Sequence, residues 1–323
     1  MTSGDFEARN QARWQEYEEL VTALEKGKKP ADAGELPRRF RELCLDLSLA
    51  ENRMYGGRIT ERLNALVIRG YKLVYQRRRG GMEKVAAFVA ADFPRTIRRE
   101  WKLFVICSLV FWVPFFVTML SAGHDLRWVQ AILGTEGMAS MEQMYGDKDT
   151  QIAHLREEYG SNFMMFCFYI YNNVGIDFRV FAGGMLAGLG TLFYLVFNGL
   201  HIGAAAGYVN HAGNPEAFWS FVAGHSALEL VGVVVSGMAG LKIGNAIVKP
   251  GRLTRVGALV AAAKEALPLI YGAALMTSLA AVIEGFWSAE PFPSMVKYTV
   301  GILGWILLAA YLLFAGRRGN AAR

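Results

Sequence analysis

Beyond Trp101 the sequence is built from long apolar runs, at about 103–121, 162–176, 180–209, 218–246, 266–287 and 296–315. A helix needs roughly 20 apolar residues to cross a hydrocarbon layer about 30 Å thick. In lipid the backbone must also satisfy its own hydrogen bonds, which helices do within a single segment. The pattern therefore predicts an all-α, polytopic helical membrane protein with about six transmembrane helices. Composition agrees: 53% of the residues are hydrophobic and 19% are charged, against roughly 25% charged in soluble chains.

Charge is unevenly placed. Residues 1–100 hold 20 Lys/Arg and 15 Asp/Glu, so five of the six net positive charges lie in the first third. Three domains are expected: 1–100, a cytoplasmic helical domain with an interfacial helix; 101–316, the transmembrane domain; and 317–323, a basic cytoplasmic tail. Net positive charge in such a chain reflects the Lys/Arg bias of cytoplasmic segments, not nucleic-acid binding. The first 30 residues lack an apolar core, so the span after Trp101 is expected to serve as an uncleaved insertion signal.

Four helices are legible before the membrane, at about 6–26, 36–54, 58–76 and 82–100. Trp14, Tyr17, Val21 and Leu24 recur at helical spacing in the first, as do Leu36, Phe40, Leu43 and Leu47 in the second and Ile59, Leu63 and Leu66 in the third. Arg77-Arg78-Arg79-Gly80-Gly81 breaks the third helix, and Pro94 interrupts the fourth. Arg95, Arg98, Arg99 and Lys102, beside Trp101, suit an interfacial anchor.

The second run is short for a crossing, and charge decides how to count it. The 247–265 loop carries Lys249, Arg252, Arg255 and Lys264 against Glu265 alone. Six crossings place this loop with both termini on the cytoplasmic side, and five place it outside, against the positive-inside rule. Six is therefore preferred, and a half-inserted second span stays open. The 123–160 segment is then extracytoplasmic, with seven acids against three bases. Cys44, Cys107 and Cys167 have no paired spacing and read as small hydrophobes.

Small residues recur every four positions: Gly184 and Gly188; Gly199, Gly203 and Gly207; Ser236, Gly240 and Gly244. Such rows let helix backbones approach closely in lipid, either within one bundle or between the subunits of a homo-oligomer.

Ordered along the chain, these residues resemble the stage II sporulation protein M family of bacterial membrane proteins. Phe6, Ala8, Arg9 and Trp14 are similar to its opening helix, and Arg62-Leu63-Asn64-Ala65-Leu66-Val67 to its third soluble helix. Asp92-Phe93-Pro94 with Arg98 and Arg99 resembles the approach to the first span. Asn172-Asn173, Phe181, Gly184, Gly188, Asn198-Gly199 and Gly203 form the most recognisable stretch. The segment from Gly224 to Leu230 resembles the family's Pro-His-Gly-x-x-Glu motif, with Gly224 in place of the proline and Ser226 in place of the glycine; His225 and Glu229 carry over. Ala280-Ala281-Val282-Ile283-Glu284 resembles the fifth span. The resemblance implies an envelope complex, with MoxR-type ATPases and von Willebrand A-like proteins as partners.

Ionisable groups inside a membrane are costly and suggest function by default. His225 and Glu229 lie four apart on one helix face, and His201 precedes them by one span. Structural hydrogen bonding, a proton, ion or substrate site, and a zinc-type set are all compatible with these residues, though the spacing is no known zinc signature. Glu284 either reaches the membrane interface or is half-buried against another span. Asn172, Asn173 and Asn198 are expected to bond between helices, and Asp177 and Arg179 to pair in a tight turn between the second and third spans. Lys242 is placed to snorkel. No catalytic motif, cofactor or bound metal is expected. The predicted function is a non-enzymatic membrane subunit or scaffold of a bacterial envelope complex, in the inner membrane, its partners being the bilayer and either further copies of itself or other membrane proteins. A transporter, channel or lipid-handling protein with a buried His/Glu site is the alternative.

Overall fold

The computed structural model describes residues 2–28, 30–75, 81–145 and 159–317. Among them every regular element is helical. The chain divides into two compact units, Met1–Val85 and Ala86–Arg323. Arg77–Arg79, His154, the charged residues of 146–158 and the tail beyond Arg317 lie outside the described residues.

Three helices make the first unit: α1 (Ser3–Glu25), α2 (Leu36–Asn52) and α3 (Gly57–Tyr75). Helix α1 opens with a capping box, in which the Thr2 hydroxyl accepts from the Asp5 amide and the Asp5 carboxylate accepts from the Thr2 amide. This satisfies two backbone donors that a helix start leaves unpaired. The stripes read from the sequence face one another, and Trp14, Tyr17, Val21, Phe40, Leu43 and Leu63 are all buried together. Asp46 is buried among them because it accepts from Trp14 Nε1 at 2.8 Å and pairs with Arg13. Arg69 ties α3 to α1 through Glu25 and the Thr22 hydroxyl.

Tyr17 is the exception to this saturation. Its hydroxyl is buried with no hydrogen-bond partner, and burial pushes the phenol up to about 12. A Cβ on Gly70 would collide with that hydroxyl and with the Phe40 ring.

The boundary between the units falls within α4 (Gly81–Ala87), and the second unit continues with a π-helical segment Phe88–Asp92 and α5 (Phe93–Arg99). Pro94 sits in the first turn of α5, where a missing N–H costs nothing. Helix α6 (Trp101–Ser121) follows, then α7 (Leu126–Tyr145), kinked at Gly134, where φ is +71°. After α8 (Asn162–Tyr169), a second π segment (Ile170–Val174) leads without a break into α9 (Gly175–Ala182). The bundle is completed by α10 (Leu189–Ala212), α11 (Pro215–Val248), α12 (Arg255–Ile283) with a terminal π segment Glu284–Ser288, and α13 (Ser294–Phe314).

Among the described residues, five helices are long and apolar enough to cross a membrane: α6, α10, α11, α12 with its π segment, and α13. The count of six is thus approximate, and two boundaries differ from the sequence reading. The helical run that starts at Asn162 does not stop near residue 176 but continues to Ala182, about 30 Å at 1.5 Å per residue. The third span does not begin at 180. Gly183–Gly188 breaks the helix, with Gly188 at φ +87°, and α10 starts only at Leu189. Asp177 and Arg179 consequently lie in a helix, not in a turn. The basic loop is also shorter than predicted, because α12 starts at Arg255, with the Thr254 hydroxyl accepting from the Gly257 amide.

Helix α11 is the axis of this unit, the most deeply buried of the five spans. The small-residue rows all meet intramolecular neighbours. Gly184 lies against Gly240, and Gly188 against Gly244. Gly199, Gly203 and Gly207 face, in turn, the Phe111 carbonyl, Phe115 with Thr118, and Met119 with Ala122, all on α6. Ser236 donates to Asp177 Oδ1 at 3.0 Å.

Two charged clamps hold the ends. Lys242 on α11 does not snorkel; it bonds Glu100 at 2.7 Å and Glu265 at 2.8 Å, joining three segments. Arg98 donates to the carbonyls of Leu312 and Ala315, and Arg95 to that of Gly316. These carbonyls end α13 and have no partner within it.

Gly70→Ala is expected to destabilise the protein by about 1–3 kcal/mol through overpacking. Tyr17→Phe should be neutral or stabilising by up to about 1 kcal/mol, since it deletes an unpaired buried hydroxyl. The double variant should recover part of the Gly70→Ala loss. Thermal unfolding of the detergent-solubilised chain reads all three, and equal losses in the single and double variants would contradict this packing.

Candidate functional site

The site begins with the four-residue spacing on α11. His225 and Glu229 project from the same face, with Nε2 to Glu229 Oε2 at 3.8 Å. On the facing helix, the π segment Glu284–Ser288 widens the last turn of α12 and brings Glu284 and Ser288 to the same imidazole. Nε2 lies 3.7 Å from Glu284 Oε1, and Nδ1 lies 3.1 Å from Ser288 Oγ. The other π segment, Ile170–Val174, presents Asn173, whose amide donates to Glu284 Oε2 at 3.3 Å, while Asn172 donates to Asn173 at 2.7 Å. π turns are well under 1% of helical residues and are frequent where a helix serves a site. Two of the three among the described residues meet here.

Burial is nearly complete. His225 is 3% exposed and Glu284 6%, and Glu229 is partly open. Lys297 on α13, also buried, donates to the Ser288 carbonyl at 2.7 Å, so a cationic group stands behind the imidazole. The Ser288 side chain binds the imidazole, and with Nδ1–H as donor, Nε2 presents its lone pair to the two carboxylates. One ligand atom each from His225, Glu229 and Glu284 lies within 4.8 Å of the others. The arrangement can hold a cation, or pass a proton among three groups that exchange it at close range.

These three residues border a cavity of about 230 Å³, also lined by Tyr145, His201 and Ser226. A second cavity of about 410 Å³ is lined by Asn172, Arg179, Asn198 and His201. His201 borders both, its ring stacked on Phe197. It is exposed and stands outside the convergent trio. Among the described residues, the hydrogen bond of the Asn198 side chain is to the Tyr194 carbonyl of its own helix, not to another helix. Glu284 is buried, the sharper of its two sequence readings. Asp177 is fully buried, bonded to Ser236 and unpaired at Oδ2.

Two participants were missed in the sequence. Lys297 carried a usable signal, a lysine at the head of an otherwise apolar run. Ser288 carried none, because a serine beside Trp287 is ordinary at a helix end and only the π turn directs it inward.

Residues 103–289, more than half of the chain, match the family model described as stage II sporulation protein M. Residues 4–76 match another, described as a domain of unknown function. An uncharacterized protein of Methanocaldococcus jannaschii is 30% identical over 73 residues, which are 22% of this chain and 41% of that protein. The chain thus covers less than half of that relative's length. No solved structure matches.

Asn173→Leu removes the donor to Glu284 and is expected to cost about 1–3 kcal/mol, the penalty for a buried carboxylate oxygen left unpaired. Ser288→Ala should cost about 1 kcal/mol by freeing the imidazole. Unfolding midpoints in detergent equal to that of the parent chain in both variants would show that neither bond is made.

Proposed function

The chain belongs to the stage II sporulation protein M family, and on that footing we propose that it is a non-enzymatic membrane subunit of an envelope complex. The observation that carries this reading is the division into two units. A three-helix unit with its own apolar core and a charged exterior precedes a membrane unit whose small-residue rows are used up internally. A separate folded module on a membrane protein is a docking element, and it gives the complex a site of attachment outside the bilayer. The cytoplasmic membrane is the location, with both termini on the cytoplasmic side. Lys249 and Arg252, between α11 and α12, and Arg255, the first residue of α12, support that orientation. Cytoplasmic ATPases of the MoxR type and von Willebrand A-like proteins are the partner classes to look for.

A second reading has its own observation. A mainly apolar cavity within the membrane unit carries His201, His225, Glu229 and Glu284 on its border, and these four groups favour passage of an ion or small polar solute.

Two measurements test the first reading. In a cysteine-free background, a cysteine at position 7 should react with a membrane-impermeant thiol reagent only in inverted vesicles; labelling in intact cells would reverse the orientation. Mild solubilisation of native membranes should recover the chain with a reproducible cytoplasmic partner, whereas recovery alone counts against the docking role. For the second reading, flux across liposomes that is unchanged in His225→Ala excludes the cavity as a path.

A further inference from the structure

We propose that His225, Glu229 and Glu284 bind a divalent first-row transition ion inside the membrane unit. The proposal is independent of the docking role above and of any solute pathway.

The geometry of the imidazole edge carries it. Three potential ligand atoms converge: Nε2 of His225, with Glu284 Oε1 at 3.7 Å and Glu229 Oε2 at 3.8 Å. These separations are too long for hydrogen bonds. Among the described residues, Nε2 has no hydrogen-bond partner, although His225 is 97% removed from solvent and borders the cavity. In a tetrahedral site, ligand bonds of about 2.0–2.2 Å set the donor atoms roughly 3.3–3.6 Å apart. The two separations from Nε2 exceed that spacing by a few tenths of an ångström, and all three ligand atoms lie within 4.8 Å of one another, so an ion would draw the two carboxylates together.

The surroundings are those of a metal site. Ser288 Oγ holds Nδ1, and with Nδ1–H as the donor Nε2 is left free to ligate. Asn173 holds the second oxygen of Glu284, leaving Oε1 for the ion. Outer partners of this kind orient metal ligands and sharpen affinity. Each ligand also stands on a rigid helix, two on α11 and one on a π turn of α12. Charge points the same way. Two carboxylates in a low-dielectric interior repel each other and lose hydration, and Lys297 supplies a single positive group on the far side of Ser288. A dication placed between the carboxylates offsets both.

The donor set selects the ion. One imidazole with two carboxylates suits zinc, manganese or ferrous iron, while magnesium and calcium prefer all-oxygen sites. Three protein ligands leave one coordination position, which faces the cavity and is available to water or a small anion.

The test uses the full chain, purified with a tag free of histidine, stripped with a chelator and dialysed. Zinc is titrated against it, with magnesium as the comparison. Expected are about one zinc per chain, a rise of several degrees in the unfolding midpoint with zinc but not with magnesium, and X-ray absorption showing one imidazole and oxygen ligands. Glu229→Gln, at the most open position of the three, should weaken zinc at least ten-fold, and His225→Ala and Glu284→Gln should abolish stoichiometric uptake. Failure of the parent chain to take up zinc at one equivalent overturns the proposal. So does retention of one equivalent by His225→Ala that elutes as the parent does, or absorption showing sulfur or several imidazoles. Should His225→Ala and Glu284→Gln not fold, Glu229→Gln and the absorption spectrum of the parent chain still decide.

Discussion

The closeness with which α11 packs against its neighbours determines most of the membrane unit. In lipid no hydrophobic force separates helix–helix from helix–tail contact, so association depends on how near two backbones can come. At Gly184–Gly240 and Gly188–Gly244 the chain after α9 lies directly on α11, with no side chain between. The break at Gly183–Gly188 follows from this. A continuous helix would carry residues 183–188 away from α11, whereas the left-handed Gly188 turns the chain across it. Position on α11 then fixes Asp177 opposite Ser236 and Asn173 opposite Glu284.

Polar groups in this unit occur where neighbouring helices can satisfy them. Lys242 is flanked by two carboxylates from different segments, and the arginines of α5 cap the end of α13. In the His225 cluster Ser288 and Asn173 serve the imidazole and Glu284, while the outer edge of the imidazole stands 3.7–3.8 Å from both carboxylates, beyond hydrogen-bond range.

Much of the fold was legible in the sequence because lipid imposes a length and an apolar threshold that few other environments impose. The spans matching α6, α11 and α13 needed little revision, since each is apolar along its length and ends in loop residues. The errors fell where that signal is weak. Asp177 and Arg179 looked like a turn because ionisable residues are rare within spans, yet Asp177 is held inside by Ser236. The break that does exist was hidden in a glycine-rich stretch whose hydropathy does not change. At the site, the face shared by His225 and Glu229 follows from helical periodicity alone. The arrival of Glu284 on that face does not, because it depends on a π turn, which alters the angular spacing of side chains without altering composition. The same holds for Asn173. Close approach of the glycine rows was predictable, but whether they pack within the chain or between chains was not, since both require the same small residues.

The capping of α13 by Arg95 and Arg98 also bears on the order in which the molecule is assembled. These contacts join residues separated by more than 200 positions, at the two ends of the membrane unit. During synthesis the arginines emerge first and the carbonyls they bind emerge last. Until α13 is in place, Arg98 lacks the carbonyls it caps, and the apolar residues Phe93 and Ile97 lack part of their cover. Long-range closure of this kind comes late in folding because much of the chain must already be ordered. The contact between α5 and α13 can therefore form only after every helix between them has been made.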